Sequence, residues 1–293
     1  MGVTLMPPKP LFSLVMATRG RVLEIREFLE SLLRQECKDF DLTIVDQNDD
    51  ERLRGLVEEF SPRMSIKWLR VNVRGLSVSR NVGLKEINGE IIAFPDDDCI
   101  YPPDLLRNIA TAFTSSAFDL VSVKSVDEES QRSSNGYWKR HPQKITSRNV
   151  IGTIVSYSFF VRATALKSAR FDERLGVGAY FGAAEEIDFV LQLLQAGASG
   201  YYFSNWHVYH PNKTETSERS YNYALGFGAM IKKNMLAPRC GGINLLAIEH
   251  GCRSVGGFVF SLAKGDTLQM RHYCRVIWGR MRGWWEYKND GPN

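Results

Sequence analysis

Cysteine is scarce in this chain: five residues, at 37, 99, 240, 252 and 274, stand among 293. Their number is odd, they are dispersed, and no C-x-x-C pair occurs. That argues against a disulfide framework or a zinc site and for reduced thiols in a cytosolic chain. Long apolar runs are missing too, with nothing approaching the roughly 20 uninterrupted residues that cross a bilayer. The first ten residues have no basic stretch followed by an apolar one, so no secretory signal is expected. Internal repeats and low-complexity segments are absent. The rest is 44% hydrophobic and 24% charged. That is the composition of a globular protein able to bury a substantial core, in one large domain or two modest ones.

A net charge of +4 hides an asymmetry. From Lys213 onward there are 12 Lys+Arg against 6 Asp+Glu, which leaves 25 against 27 before it. A near-neutral body with a basic tail suggests an anionic contact for the tail, either nucleic acid or an acidic membrane surface. No nucleic-acid-binding motif accompanies the excess, so nucleic acid is not an expected partner.

The first half alternates strand and helix patterns. Residues 11–17 form a short apolar run, followed by Ile25, Phe28, Leu29, Leu32 and Leu33 at helical spacing. Residues 42–45 read as a second strand ending at Asp46, before a helix carrying Leu53, Leu56, Val57 and Phe60. A third strand (66–71), a short helix (76–86) and a fourth strand (90–94) follow. Pro103 opens a helix to Phe113, and 119–124 is a fifth strand. This order predicts an α/β fold with a mostly parallel sheet flanked by helices on both faces. Farther on, 125–149 is polar and reads as a loop, 153–161 as a strand, 171–183 as a Gly-rich loop and 184–196 as a helix. A strand at 201–203 and helices at 220–234 and 266–285 complete the pattern.

Ligands of such sheets bind outside the carboxyl ends of the strands. Thr18, Arg19, Asp46 and the consecutive Asp96, Asp97 and Asp98 all fall there. Three adjacent carboxylates repel one another, and burying them unpaired would cost several kcal/mol each. A solvated acidic turn is one reading. The other is a set of ligands for a hard divalent cation that also carries phosphate oxygens, and the convergence on strand ends favours it.

Five segments recur in a telling order: Val15 to Arg19 after the first strand, Ile44 to Asp49 after the second, Gly75 to Gly83 with Arg80 and Asn81, Phe94 to Cys99, and Phe171 to Phe189 with Gly176, Gly182, Glu185, Glu186 and Asp188. Together they resemble the family-2 glycosyltransferases of bacterial polysaccharide synthesis, which have the GT-A (Rossmann-like) fold. The likeness covers about residues 10–235. It implies a GT-A domain over 1–235, with a nucleotide-sugar half at about 10–124 and an acceptor and catalytic-base half at about 150–212. A basic helical extension would occupy 236–293.

By this resemblance Thr18, Arg19 and Asp46 face the nucleobase and ribose, and Arg80 supports the nucleotide pocket. Asp96, on the ribose side, and Asp97 bind the nucleotide-sugar, while Asp98 holds Mg²⁺ or Mn²⁺. Cys99 stands where the family's Asp-x-Asp-Asp pattern has its last aspartate. Glu186, one methylene longer than the family's usual aspartate, is the catalytic base that gives inversion. The implied donor is a UDP-, dTDP- or GDP-linked sugar. The acceptor is a hydroxyl of a glycan or lipid-linked molecule, in exopolysaccharide, capsule or O-antigen synthesis.

Each residue also has a plainer reading. Acidic residues favour the first turn of a helix on dipole grounds alone, which would account for Glu185 and Glu186. His207 and His210 are either polar surface or, with His210 favoured, a further metal or diphosphate ligand, as in some proteins of this fold. Tyr157 reads as core packing, Ser158 as unassigned and Cys99 as an inert buried thiol. Lys232 and Lys233 meet phosphate or form a solvated helix face. Asp266 caps a helix with Tyr273, Val276, Ile277, Met281, Trp284 and Trp285 on one face and Arg271, Arg275, Arg280, Arg282 and Lys288 around it. Such a helix either lies in an anionic membrane interface, making 266–288 a peripheral anchor, or packs on the catalytic domain or another subunit. The expected location is cytoplasmic, at the inner face of the cell membrane if the anchor holds. A non-catalytic sugar-binding scaffold is the main alternative. A nucleotidyltransferase is disfavoured, because 17–21 is too thin for a phosphate loop.

Overall fold

The computed structural model describes residues 9–134, 136–212, 216–235, 237 and 241–288. The first eight residues and Cys240, both weighed above, lie outside them. The chain runs β1 (Phe12–Thr18), α1 (Leu23–Leu33), β2 (Phe40–Asp46), α2 (Arg54–Phe60), β3 (Ser65–Arg70), α3 (Leu76–Gly83), β4 (Ile91–Ala93), α4 (Leu105–Ser115) and β5 (Leu120–Val126). It continues with β6 (Gln143–Lys144), β7 (Phe159–Arg162), α5 (Ala163–Leu166), α6 (Glu185–Gln195) and β8 (Gly200–Tyr209). The helices α7 (Ser217–Asn234), α8 (Gly241–Lys264) and α9 (Thr267–Glu286) follow.

The strands form one sheet in the order β3-β2-β1-β4-β7-β5-β8-β6. β1 through β4 pair parallel, as the alternating pattern predicts, and so do β5 and β8. β7 is inserted antiparallel between β4 and β5. Residues 153–161 are therefore only partly a strand: Ser156–Ser158 make a 3₁₀ turn before Phe159. β8 is longer than the 201–203 expected. The polar stretch 125–149 contributes the small edge strand β6.

Alternation along β1 sends side chains to two cores. Phe12, Leu14 and Met16 join Phe28, Leu32, Leu106 and Ile109 under α1 and α4. Val15 joins Phe159, Val161, Phe189 and Leu191 under α6 on the other face. Each fully buried side chain of this kind contributes about 1.5–3 kcal/mol. α3 docks by backbone, since a Cβ on Gly83 would collide with the Val15 side chain.

At the C-terminal end α9 packs on α7 and α8. A Cβ on Gly228 of α7 would strike the Arg280 carbonyl, and one on Gly283 of α9 would strike the Leu225 carbonyl. Glycines at these points let the two backbones touch. Asp266 caps α9 as expected, its side chain accepting from the Gln269 N–H at 3.0 Å. Tyr273 and Ile277 turn partly inward, while Trp278, Met281 and Trp285 face outward. No helix among the described residues is long and apolar enough to cross a membrane.

Candidate active site

Thr18 closes β1, Asp46 closes β2, the acidic turn follows β4, and His210 follows β8. Because these strands run in one direction, all four reach the same carboxyl edge of the sheet.

The three aspartates diverge sharply in partners. Asp96 accepts from Arg80 at 2.8 Å and from the Ser156 hydroxyl at 3.4 Å. Asp97 accepts from the Thr18 hydroxyl at 2.6 Å and from Arg21, and its pKa is still raised because burial outweighs both partners. Asp98 is buried, lies 2.8 Å from Arg21 and places an oxygen 3.0 Å from His210 Nε2. Ligand atoms of Asp96, Asp98 and His210 all fall within 4.8 Å of one another.

The histidine supports a cation at this cluster. His210 Nδ1 lies 2.8 Å from the Pro211 carbonyl, which can only accept, so Nδ1 carries the proton. Nε2 then turns its lone pair toward the Asp98 oxygen. A cation bound to both would suit this pair of acceptors 3.0 Å apart. Carbonyl-fixed imidazoles of this tautomer are the usual metal ligands. The ring is held flat against Tyr157, with centroids 4.4 Å apart and planes 8° apart, and the Tyr157 hydroxyl meets Ser125 Oγ at 2.9 Å. A cleft of about 320 Å³ opens beside Asp98 and His210, lined also by Glu24, Glu27 and Asp127.

Arg80 links this cluster to the second acidic pair. Its guanidinium is 1% exposed and spans Asp96 and Glu185, the latter at 3.0 Å. Glu186, next on α6, is partly accessible. Burial first, and then the neighbouring Glu185 charge and hydrogen bond, push its pKa up to about 8. The loop ahead of the pair is gripped by α3: Ser77 donates to the Leu175 carbonyl at 2.6 Å, and Asn81 to the Phe171 carbonyl at 2.8 Å. Ala184 enters α6 with φ of 70°, a left-handed conformation unusual without glycine. α7 presses against this entry, because a Cβ on Gly226 would strike the Ala183 backbone.

A polar network ties the same loop to the end of α9. Tyr287 donates to Asp172 at 2.6 Å, Arg174 donates to the Lys288 carbonyl at 2.8 Å, and Tyr180 donates to Glu286 at 2.5 Å. Burial alone would raise the Asp172 pKa, yet Arg174, Lys233 and Tyr287 together hold it well below the usual carboxylate range.

The remaining expected residues take these places. Asp46 is fully buried, accepting from Asn48 at 2.8 and 2.6 Å and from Trp68 at 3.0 Å, and so braces the 47–50 loop. Asp96 joins the Asp98 and His210 cluster. Arg80 bridges carboxylates under the site. Lys233 is neither solvated nor free for phosphate, since it pairs with Asp188 at 2.7 Å and Asp172 at 3.0 Å, and Lys232 lies over Trp284. Arg19 is exposed at the rim. Cys99 is fully buried, and burial raises its thiol pKa far above normal. His207 is drawn down by burial and lies outside the cluster. Arg21, Ser156 and the stacking role of Tyr157 were missed. No periodicity marks them, although Arg21 lies within two residues of Arg19.

A mostly parallel sheet with this acidic edge defines a GT-A transferase frame, and the sequence comparisons agree. The family described as glycosyl transferase family 2 matches residues 13–169. The chain belongs to that family. It is 25% identical over 162 residues to the poly(ribitol-phosphate) beta-N-acetylglucosaminyltransferase TarS of Staphylococcus aureus, covering 53% of this chain and 28% of that protein. It is 23% identical over 181 residues to the minor teichoic acid biosynthesis protein GgaB of Bacillus subtilis, covering 57% of this chain and 20% of GgaB. The chain thus spans less than a third of the length of these relatives. Among solved structures, TarS 1–349 with UDP-GlcNAc superposes with a TM-score of 0.59 at 18% identity, covering 94% of this chain and 91% of that one. The mannosyltransferase PcManGT of Pyrobaculum calidifontis, in complex with GDP-Man and Mn²⁺, gives 0.67 at 14% identity over 96% and 89%.

Proposed function

We propose that this protein is an inverting, metal-dependent glycosyltransferase. It moves a sugar from a nucleoside-diphosphate-sugar to a hydroxyl of a glycan or lipid-linked acceptor in surface-polysaccharide assembly. The observation that carries the reading is the Asp96, Asp98 and His210 cluster at the sheet edge, joined through Arg80 to the Glu185–Glu186 pair.

Asp98 and His210, with Asp96, would hold Mg²⁺ or Mn²⁺, which supplies Lewis-acid stabilisation of charge on the departing diphosphate. Thr18 and Asp97 shape the donor pocket with Arg19 at its rim, while Asp46 and Arg80 brace it from below. In the transfer the anomeric C–O bond to the diphosphate breaks and its electron pair leaves with the phosphate. The acceptor oxygen bonds to the same carbon from the opposite face and gives its proton to Glu186. A base whose pKa lies near the working pH suits that role. The teichoic-acid names among the relatives support a polymer or lipid-linked acceptor. A cytoplasmic location at the inner membrane face is supported by Trp278, Trp285, Arg271 and Arg275, all exposed on α9.

A donor-hydrolysis screen of UDP-, dTDP- and GDP-sugars with Mg²⁺ or Mn²⁺ tests the proposal. One donor is expected to turn over only with metal, and Asp98→Asn should abolish that metal-dependent turnover. Nucleotide-sugar binding without turnover of any donor would instead indicate a sugar-binding scaffold.

A further inference from the structure

α8 carries a pattern that the fold itself does not use. One side packs inward, with Ile243, Leu246, Ser254 and Ser261 buried and Gly257 set against the Tyr273 ring. The opposite side carries Leu245, Ile248, Cys252, Val255, Val259 and Leu262. Their spacing alternates three and four, the a and d positions of a heptad, over about 26 Å of helix. The five aliphatic side chains are each 50–61% exposed, and Cys252 is exposed as well. A helix apolar on opposite sides needs cover on both. We infer that this stripe is the seam through which two copies of the chain pair, α8 against α8.

Three observations select a second copy over a lipid surface. The residues flanking the stripe include Asn244, Gly251, Gly256 and Ala263, small or uncharged and able to admit a second helix closely. Glu249 and Arg253 are the only charged residues within 244–263, and they pair with each other at 2.7 Å. The stripe therefore meets its own copy without like-charge opposition, and the cation nearest its end, Lys264, lies over the Phe260 ring. The basic residues and tryptophans that lipid would recruit lie on α9 instead.

The second observation is symmetry. A three-four-three-four-three spacing reads the same in both directions, so an antiparallel two-fold pairing matches Leu245 with Leu262, Ile248 with Val259, and Cys252 with Val255. Self-complementarity of this kind is what a two-fold interface requires. The third is area. Six half-exposed side chains amount to roughly 400–500 Å² per copy, so pairing with the flanking residues buries on the order of 1,000 Å² in total, the threshold for a specific interface.

Sedimentation of the full chain is expected to show a dimer at micromolar concentration. Val255→Lys and, independently, Val259→Lys should each weaken it at least ~100-fold, because a charge enters the seam twice. Circular dichroism and nucleotide binding should stay unchanged. A short bis-maleimide should join two native chains and fail with Cys252→Ser. A native chain that stays monomeric at ~100 µM overturns the proposal, as does a dimer indifferent to both lysines. Flotation of a monomeric native chain on phosphatidylglycerol vesicles, lost in Val255→Lys, overturns it in favour of lipid.

Discussion

The acidic turn at Asp96, Asp97 and Asp98 and the pair at Glu185 and Glu186 meet Arg80 from two sides, yet they carry their charge differently. In the turn Arg21, Arg80 and the Thr18 hydroxyl each meet an aspartate, although burial still raises the Asp97 pKa, and Asp98 faces the His210 imidazole. The pair has only one side of Arg80, already committed to Glu185, so Glu186 bears the burial and its pKa climbs to about 8. Under the proposed reading, carboxylates thus serve a cation at one place and accept a proton at the other. What separates them is how the surrounding cations are shared, not the residue type.

The largest expected test of this contrast is Glu186→Gln, which keeps the shape but cannot take a proton. Turnover should fall ~10²–10⁴-fold with donor binding retained, as read by single-turnover kinetics and calorimetry. Near-native turnover would remove Glu186 from the mechanism. Arg80→Met comes next: with the shared guanidinium gone, buried Glu185 and partly exposed Asp96 both lose their cation, and denaturant titration should show a loss of about 3–5 kcal/mol. A loss confined to activity would mean that Arg80 serves the ligand rather than the carboxylates. The smallest effect is a pH profile. Below pH 8 Glu186 is mostly protonated, so kcat/KM should rise about tenfold per pH unit and level off above 8. The same raised pKa makes the folded chain hold a proton that the unfolded one releases. Its contribution to stability is therefore full at acid pH and declines as pH rises from the ordinary glutamate range through about 8.

The parallel strands and the carboxyl edge were legible because each apolar run stops at a polar residue, as at Thr18 and Asp46, and a helical period follows. The inserted β7 was not legible, since pairing direction leaves no mark on a short buried run such as Phe159–Arg162. α8 was not singled out either, because apolar residues on opposite sides blur its helical period. Within the site, the acidic turn and His210 could be placed from strand ends. The sharing of Arg80 between residues 16 and 105 positions away is a tertiary fact that spacing does not encode. Tyr157 was read as core packing and is indeed buried, but burial alone does not reveal that its ring lies flat on His210.

The bonds from Tyr287, Glu286 and Lys288 back to Asp172, Tyr180 and Arg174 set an order of events during synthesis. The sheet and both acidic groups are complete by Tyr209, and domains generally fold as their residues emerge. The loop ahead of Glu185 and Glu186 acquires its last fastenings only after some 75 further residues have been added. A nascent chain can therefore hold both acidic groups and still lack the clasp on the loop that leads into one of them.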